Sequence, residues 1–219
     1  MGLLQDLDIV KGNGTLAARI FEELFPSFME VDYNKPSDYI LIFWNKYLVN
    51  RNNYSLNEQQ QQRNINGTIF EMIIATLLIR EKIYPIYMNA KVAFVPNINY
   101  DLLLYSTDKG PICLSAKTSF RERYKQADLE AIALKYVHRR SKCYLITLSE
   151  SDSKMVNKKQ RDGDVIGLDC SVCATTKDFD DIIDEIKKLN LIETPEIKVI
   201  TTLQIVTEQK IIAVFPNLK

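Results

Sequence analysis

Histidine is nearly missing from this chain: His138 is the only one among 219 residues. A Ser-His-Asp or Cys-His apparatus, or a nuclease with a histidine base, would have to be built on it. It stands among Tyr136, Val137, Arg139 and Arg140, on an expected helix where a surface or phosphate-facing position suits it better than catalysis. That leaves carboxylate and lysine chemistry. Cysteine is scarce as well, with Cys113, Cys143, Cys170 and Cys173. Only the last pair has ligand-like spacing, and one CxxC without a second pair or nearby histidines does not complete a zinc site. Three of the four lie in apolar, β-like runs, which reads as reduced core thiols. Net charge is absent, because 28 basic and 28 acidic side chains cancel. Any affinity for nucleic acid must then come from locally clustered charge. No apolar run approaches the ~18 residues of a membrane span. The N-terminus also lacks the charged start, apolar core and small-residue cleavage site of a signal peptide, so no membrane contact and a cytoplasmic location are expected.

What is present is an ordinary globular composition, 46% hydrophobic and 26% charged, enough for a sizeable core. No internal repeat or linker divides the chain. A single domain over 1–219 is expected, with a helical N-terminal part (1–66), a chemical core (67–148) and completing strands and a helix (149–219). Apolar spacing predicts helices over 15–24 and 36–49, the second holding Trp44 as a packing residue. The polar, glutamine-rich stretch 51–62 fits a surface loop, a helix start or a DNA-wrapping arm. Residues 67–83 read as a buried helix, almost continuously apolar except for Glu71. A carboxylate there is paired, metal-linked or turned to an exposed edge, because burying it alone costs several kcal/mol.

Two strands (87–94 and 98–105) joined at Pro96-Asn97, then a turn at 108–110 and a third strand (111–117), make a meander. Asp101 falls inside the second strand, just before Leu102, Leu103 and Leu104, where propensity disfavours an acid. A charged helix (124–140) and a buried strand (143–148) follow, and strand, helix, strand implies a crossover and a mixed sheet. Residues 149–164 read as an exposed basic loop able to touch phosphates, and 165–174 as a strand containing Asp169. An amphipathic helix over 179–189 and late strands within 197–215 complete the chain. The expected class is α/β (α+β), a mixed central sheet flanked by helices.

The chemistry concentrates between Ser115 and Glu130. Lys117, Arg121, Arg123, Lys125, Lys135, Arg139, Arg140 and Lys142 outnumber Glu122, Asp128 and Glu130 there, although a solvated helix face would look the same. Metal-dependent phosphodiester cleavage needs oxygen ligands for a hard cation, a polarised phosphate and an in-line water. Asp101 and an acid near Lys117 would bind Mg²⁺, the Ala116 carbonyl adding a ligand, while Lys117 would orient or deprotonate the water and offset transition-state charge. An arginine can donate bidentately to guanine O6 and N7, and a glutamate can accept from the cytosine amino group. Arg121-Glu122-Arg123 therefore offers both kinds of contact within one turn. On spacing alone it equally describes a surface ion-pair cluster.

An acid, a gap, then acid-x-lysine outlines the PD-(D/E)xK nucleases. Here Ser115 stands where the second acid belongs and Tyr100 where the proline does. With those departures, residues 67–140 resemble the CC/GG-reading type II restriction endonucleases grouped around EcoRII, PspGI and NgoMIV. In that group the strand carries Ser/Thr-x-Lys, and the missing carboxylate comes from the next helix, matched here by Glu130. The upstream helical glutamate is matched by Glu71, and the arginine element by Arg121, Glu122 and Arg123, with Lys125 and Gln126 beside it. The resemblance implies a restriction-endonuclease-like fold and a catalytic set of Glu71, Asp101, Ser115, Lys117 and Glu130. It also implies Mg²⁺ held by Asp101, Glu130 and Ala116, and double-stranded DNA read at a palindromic or nearly palindromic CC/GG site. A homodimer and a cognate DNA methyltransferase belong to the same expectation. A structure-specific repair nuclease of the same fold and a non-catalytic DNA-binding protein remain the alternatives.

Overall fold

Helix ends in this chain are set by local chemistry. The computed structural model describes residues 2–11, 15–54, 58–95, 97–119, 122–194, 200–201 and 204–217. Helices α1 (Leu3–Asp6), α2 (Leu16–Leu24), α3 (Pro36–Asn50) and α4 (Gln59–Arg80) come first. Thr15 caps α2 by accepting from the Ala18 N–H at 3.2 Å, which satisfies one of the donors a helix start leaves open. Pro36 opens α3, where a missing N–H costs nothing. Asp180 reaches across to accept from both the N–H and the hydroxyl of Ser37, at 2.7 and 3.0 Å. The glutamine-rich stretch belongs in part to α4, which starts at Gln59, earlier than its apolar spacing suggests.

The remaining elements are β1 (Ile86–Val92), β2 (Tyr100–Ser106), β3 (Gly110–Lys117), α5 (Arg123–Val137), β4 (Lys142–Thr147), α6 (Glu150–Arg161), β5 (Cys170–Cys173), α7 (Lys177–Lys187), β6 (Ile200–Thr201), β7 (Ile205–Val206) and α8 (Glu208–Val214). The strands form one sheet in the order β5-β4-β3-β2-β1-β6, with β7 also on β1. The β1-β2-β3 meander is antiparallel, whereas β3, β4 and β5 are parallel neighbours. This is the mixed sheet that the strand, helix, strand order predicts.

Strand alternation sorts side chains onto two faces. Leu102, Leu104, Ile112, Leu114 and Ala116 pack with α2, α3, α4 and α7 in the larger core. Leu103, Cys113, Cys143 and Leu145 pack with α5 in the smaller one. Helix α4 is nearly continuously buried from Ile69 to Ile79, and each such aliphatic residue contributes roughly 1.5–3 kcal/mol on burial. The cysteines are free thiols in or beside these cores, and burial pushes Cys143 up to about 12 and Cys170 up to about 11.

Three expectations are corrected. Residues 150–161 are not a loop but α6, whose start is capped by Ser149 accepting from the Asp152 N–H. Its inward side is largely polar: Ser153, Asn157 and Gln160 hydrogen-bond the backbone of 168–171, so the usual apolar spacing is missing. The strand expected over 165–174 shrinks to Cys170–Cys173, because the backbone N–H groups just before it are taken by a carboxylate. The late segment forms two short strands and helix α8, started by Thr207 accepting from the Lys210 N–H, in place of strands throughout.

Candidate active site

Strand β2 begins and antiparallel β3 finishes at the same end of the sheet, which brings Asp101 and Lys117 together. Lys117 Nζ donates to Asp101 Oδ2 at 2.7 Å, and the Ala116 N–H donates to the same oxygen at 2.9 Å. Lys117 follows Ala116, which packs in the larger core, so by strand alternation its side chain belongs to the face covered by α5. Ser115 shares that face, 3% exposed, with its Oγ 3.6 Å from Cys113 Sγ. It fills the position between thiol and lysine without an acid.

Two further carboxylates converge on this pair. Glu71 comes from α4 and Glu130 from α5, so one arrives from each side of the sheet. Burial first, then the Asp101 carboxylate, raises the Glu71 carboxyl to about 8, against the pull of Lys117. Glu130 is also raised, chiefly by burial and further by Asp101, while its hydrogen bond from Gln126 and the Lys117 charge oppose the shift. Burial alone would lower Lys117, but Asp101, Glu71 and Glu130 together outweigh it and raise its pKa. Lys117 is therefore firmly an ammonium. It serves as a donor and a positive charge, and it has no lone pair with which to accept a proton near neutral pH.

Helix α5 is fixed at several points. Asp128, which the sequence leaves indistinguishable from Glu130 as a helical acid, accepts from the N–H groups of Gly167 at 2.7 Å, Leu168 at 3.1 Å and Ile166 at 3.4 Å. A Cβ on Gly167 would lie 2.4 Å from the Asp128 carbonyl oxygen, so only glycine admits this approach. Tyr100, standing where the motif's proline would be, donates its hydroxyl to the Glu130 carbonyl at 3.0 Å. It ties the start of β2 to the turn that carries Glu130. Nothing in the spacing foretells either contact.

The Arg121-Glu122-Arg123 element, expected to read bases, is described in part. Arg121 lies outside the described residues. Glu122 and Arg123 are exposed at the start of α5, and Glu122 pairs with exposed Lys125. Gln126 Nε2 donates to Glu130 Oε1 at 2.7 Å, so its amide is engaged with the cluster. Two of the nearby cations have structural work: Lys135 and Lys142 both bind Asp169, at 2.7 and 3.0 Å. On α6, Lys154 and Lys158 pair with acids one helical turn away. His138 caps the end of α5, partly buried, and burial lowers its pKa. It is a neutral ring there, which does not suit a phosphate contact.

Among the described residues no group of three or more His, Cys, Asp or Glu side chains is arranged as a ready metal cage. The donor set nonetheless fits Mg²⁺, which is commonly held by one or two carboxylates, with water and substrate oxygens completing its shell. Both bonds to Asp101 fall on Oδ2, leaving Oδ1 for a cation. Burial first, with the Asp101 carboxylate adding to it, raises Glu71 and Glu130, and a bound cation would favour their charged forms.

Scanned against models of protein families and against curated proteins, the sequence matches none. Its fold is similar to that of the restriction endonuclease PspGI, solved as a complex with substrate DNA. The TM-score is 0.57 at 17% sequence identity, over 94% of this chain and 90% of that one. The chain thus has a restriction-endonuclease-like fold, a mixed sheet flanked by helices.

Proposed function

We propose that the chain is a Mg²⁺-dependent endonuclease that cuts double-stranded DNA, and specifically a type II restriction endonuclease. The observation that carries this reading is the meeting of Glu71, Asp101, Lys117 and Glu130 at one end of the sheet, from four separate elements. In the proposed reaction a water attacks phosphorus, the P–O3′ bond breaks, and the products are a 5′-phosphate and a 3′-hydroxyl. Asp101 and Glu130, with the Ala116 carbonyl, would hold Mg²⁺, which when bound would supply Lewis acidity toward the phosphate and acidify water. Lys117 donates to the water or a phosphate oxygen and offsets the charge that builds in the transition state. Asp101 holds Lys117 in place through the 2.7 Å bond to its ammonium. Glu71 adds a carboxylate from behind the sheet.

The same reading places Arg121, Glu122 and Arg123 in the major groove, with Lys125 and Gln126 beside them, reading CC/GG within a palindromic or nearly palindromic site. Gln126 would have to exchange its bond to Glu130 for a base. A two-fold site calls for a homodimer. A cognate methyltransferase would protect the same sites in the host's own DNA.

Plasmid DNA incubated with Mg²⁺ should give discrete fragments, and none with a chelator. Lys117→Ala should lower cleavage by at least about a hundredfold while leaving binding in Ca²⁺ largely intact. Cutting confined to junctions or flaps would favour a repair nuclease, and binding without cutting a non-catalytic protein.

A further inference from the structure

Glu71 lines one end of an open cleft of about 220 Å³, whose lining also includes Lys11, Thr15, Asn89 and Gln204. We propose that this cleft is a second phosphate subsite, in which Asn89 and Lys11 hold the backbone of the DNA strand being cut. The inference rests on the nuclease reading and names a contact beyond the catalytic cluster.

Asn89 is the starting point. It sits within β1 at φ +46°, a left-handed conformation that side-chain-bearing residues rarely adopt and that asparagine tolerates better than most. The ladder is intact on both sides, with Met88 opposite Leu102 and Ala90 opposite Tyr100. By that register Asn89 falls opposite Asp101. One strained residue in a paired strand turns an exposed amide into the cleft, next to the catalytic carboxylate, and such outliers concentrate where a side chain is used.

The opposite wall is built to match. Ile9 and Val10 are buried, and Gln204 donates to the Ile9 carbonyl at 3.1 Å, so Lys11 emerges from a fixed base. Lys11 is exposed, and among the described residues no acid pairs with it. Thr15 Oγ1 already accepts from the Ala18 N–H, which leaves its hydroxyl hydrogen to donate outward. The cleft thus offers an ammonium, an amide and a hydroxyl as donors. Its lining contains no aromatic ring, and an unstacked base is ordinarily held on one. Donors without a stacking surface suit phosphate oxygens rather than a nucleobase.

Glycine tolerates φ +46° freely, so Asn89→Gly removes the side chain and relieves the backbone at once. A purely structural asparagine predicts unchanged activity. The proposal predicts a Tm equal to or above the native value, together with roughly tenfold weaker binding of a 30-base-pair duplex in Ca²⁺ and slower cleavage in Mg²⁺. Lys11→Gln should weaken binding and reduce the slope of log affinity against log salt by about one. Native-like binding and cutting by both variants, with Lys117→Ala inactive, would overturn the subsite and leave the nuclease reading standing. Weaker binding by Lys11→Gln at an unchanged salt slope would also overturn the phosphate assignment. A native protein that neither binds nor cuts duplex DNA would sink both.

Discussion

Burial and the Asp101 carboxylate together raise the Glu71 carboxyl from 4.5 to about 8, against the opposing charge of Lys117. The folded chain therefore binds this proton more tightly than the unfolded chain. The stabilisation is complete below the unfolded value of 4.5 and is lost as pH rises through about 8. Without divalent metal, thermal stability should fall between about pH 5 and pH 8.5, and Glu71→Gln, which keeps the shape without the charge, should remove most of that fall. Thermal melts of both proteins in chelator test this, and parallel losses would place the titration elsewhere. Asp101 and Lys117 were legible in the sequence, because an acid ahead of three leucines in a strand has no packing reason to be there. Glu130 was legible only through the resemblance, since helical spacing does not separate it from Asp128, which turned out to be a clamp. Asn89 was not legible at all. A two-residue period records which way a strand residue points and carries no information about the sign of φ.

At the scale of elements, α5 matters most, because it carries Glu130 and the proposed base-reading Arg123 on one rod. Its attachment to the 166–168 loop depends on Gly167, where an added Cβ would also lie 2.7 Å from the Ile132 backbone nitrogen. Gly167→Ala should destabilise the fold by about 1–3 kcal/mol through overpacking. It should also lower cleavage further than the loss of folded protein explains, because Glu130 moves with the helix. Urea titration and cleavage per folded molecule separate the two effects. The meander was legible from its apolar runs and turn residues, and α5 as the charged stretch that follows the third strand. Helix α6 was not, because Ser153, Asn157 and Gln160 face inward to hydrogen-bond backbone, and periodicity counts only apolar faces.

For the whole molecule, the proposed two-fold site sets the assembly. Sedimentation should give about twice the 25.3 kDa chain mass, and plasmid at enzyme excess should pass to linear form without accumulating nicked circles. A monomer that only nicks would remove the palindromic site from the reading. Of the two longer N-terminal helices, the second offers such an assembly more apolar surface. The apolar residues of α2 are largely buried, whereas α3 leaves Leu41 46%, Ile42 42% and Val49 79% exposed. Strand pairing is blocked at one point of the sheet's edge. The outer edge of β5 has its Ser171 amide and carbonyl both engaged by Asn157, at 2.8 Å each, with Ser153 on the same carbonyl. An edge occupied in this way offers a neighbouring strand no vacant donor or acceptor at Ser171. Side chains of α6 stand there where a strand's backbone would, so a second copy finds no pairing partner at Ser171.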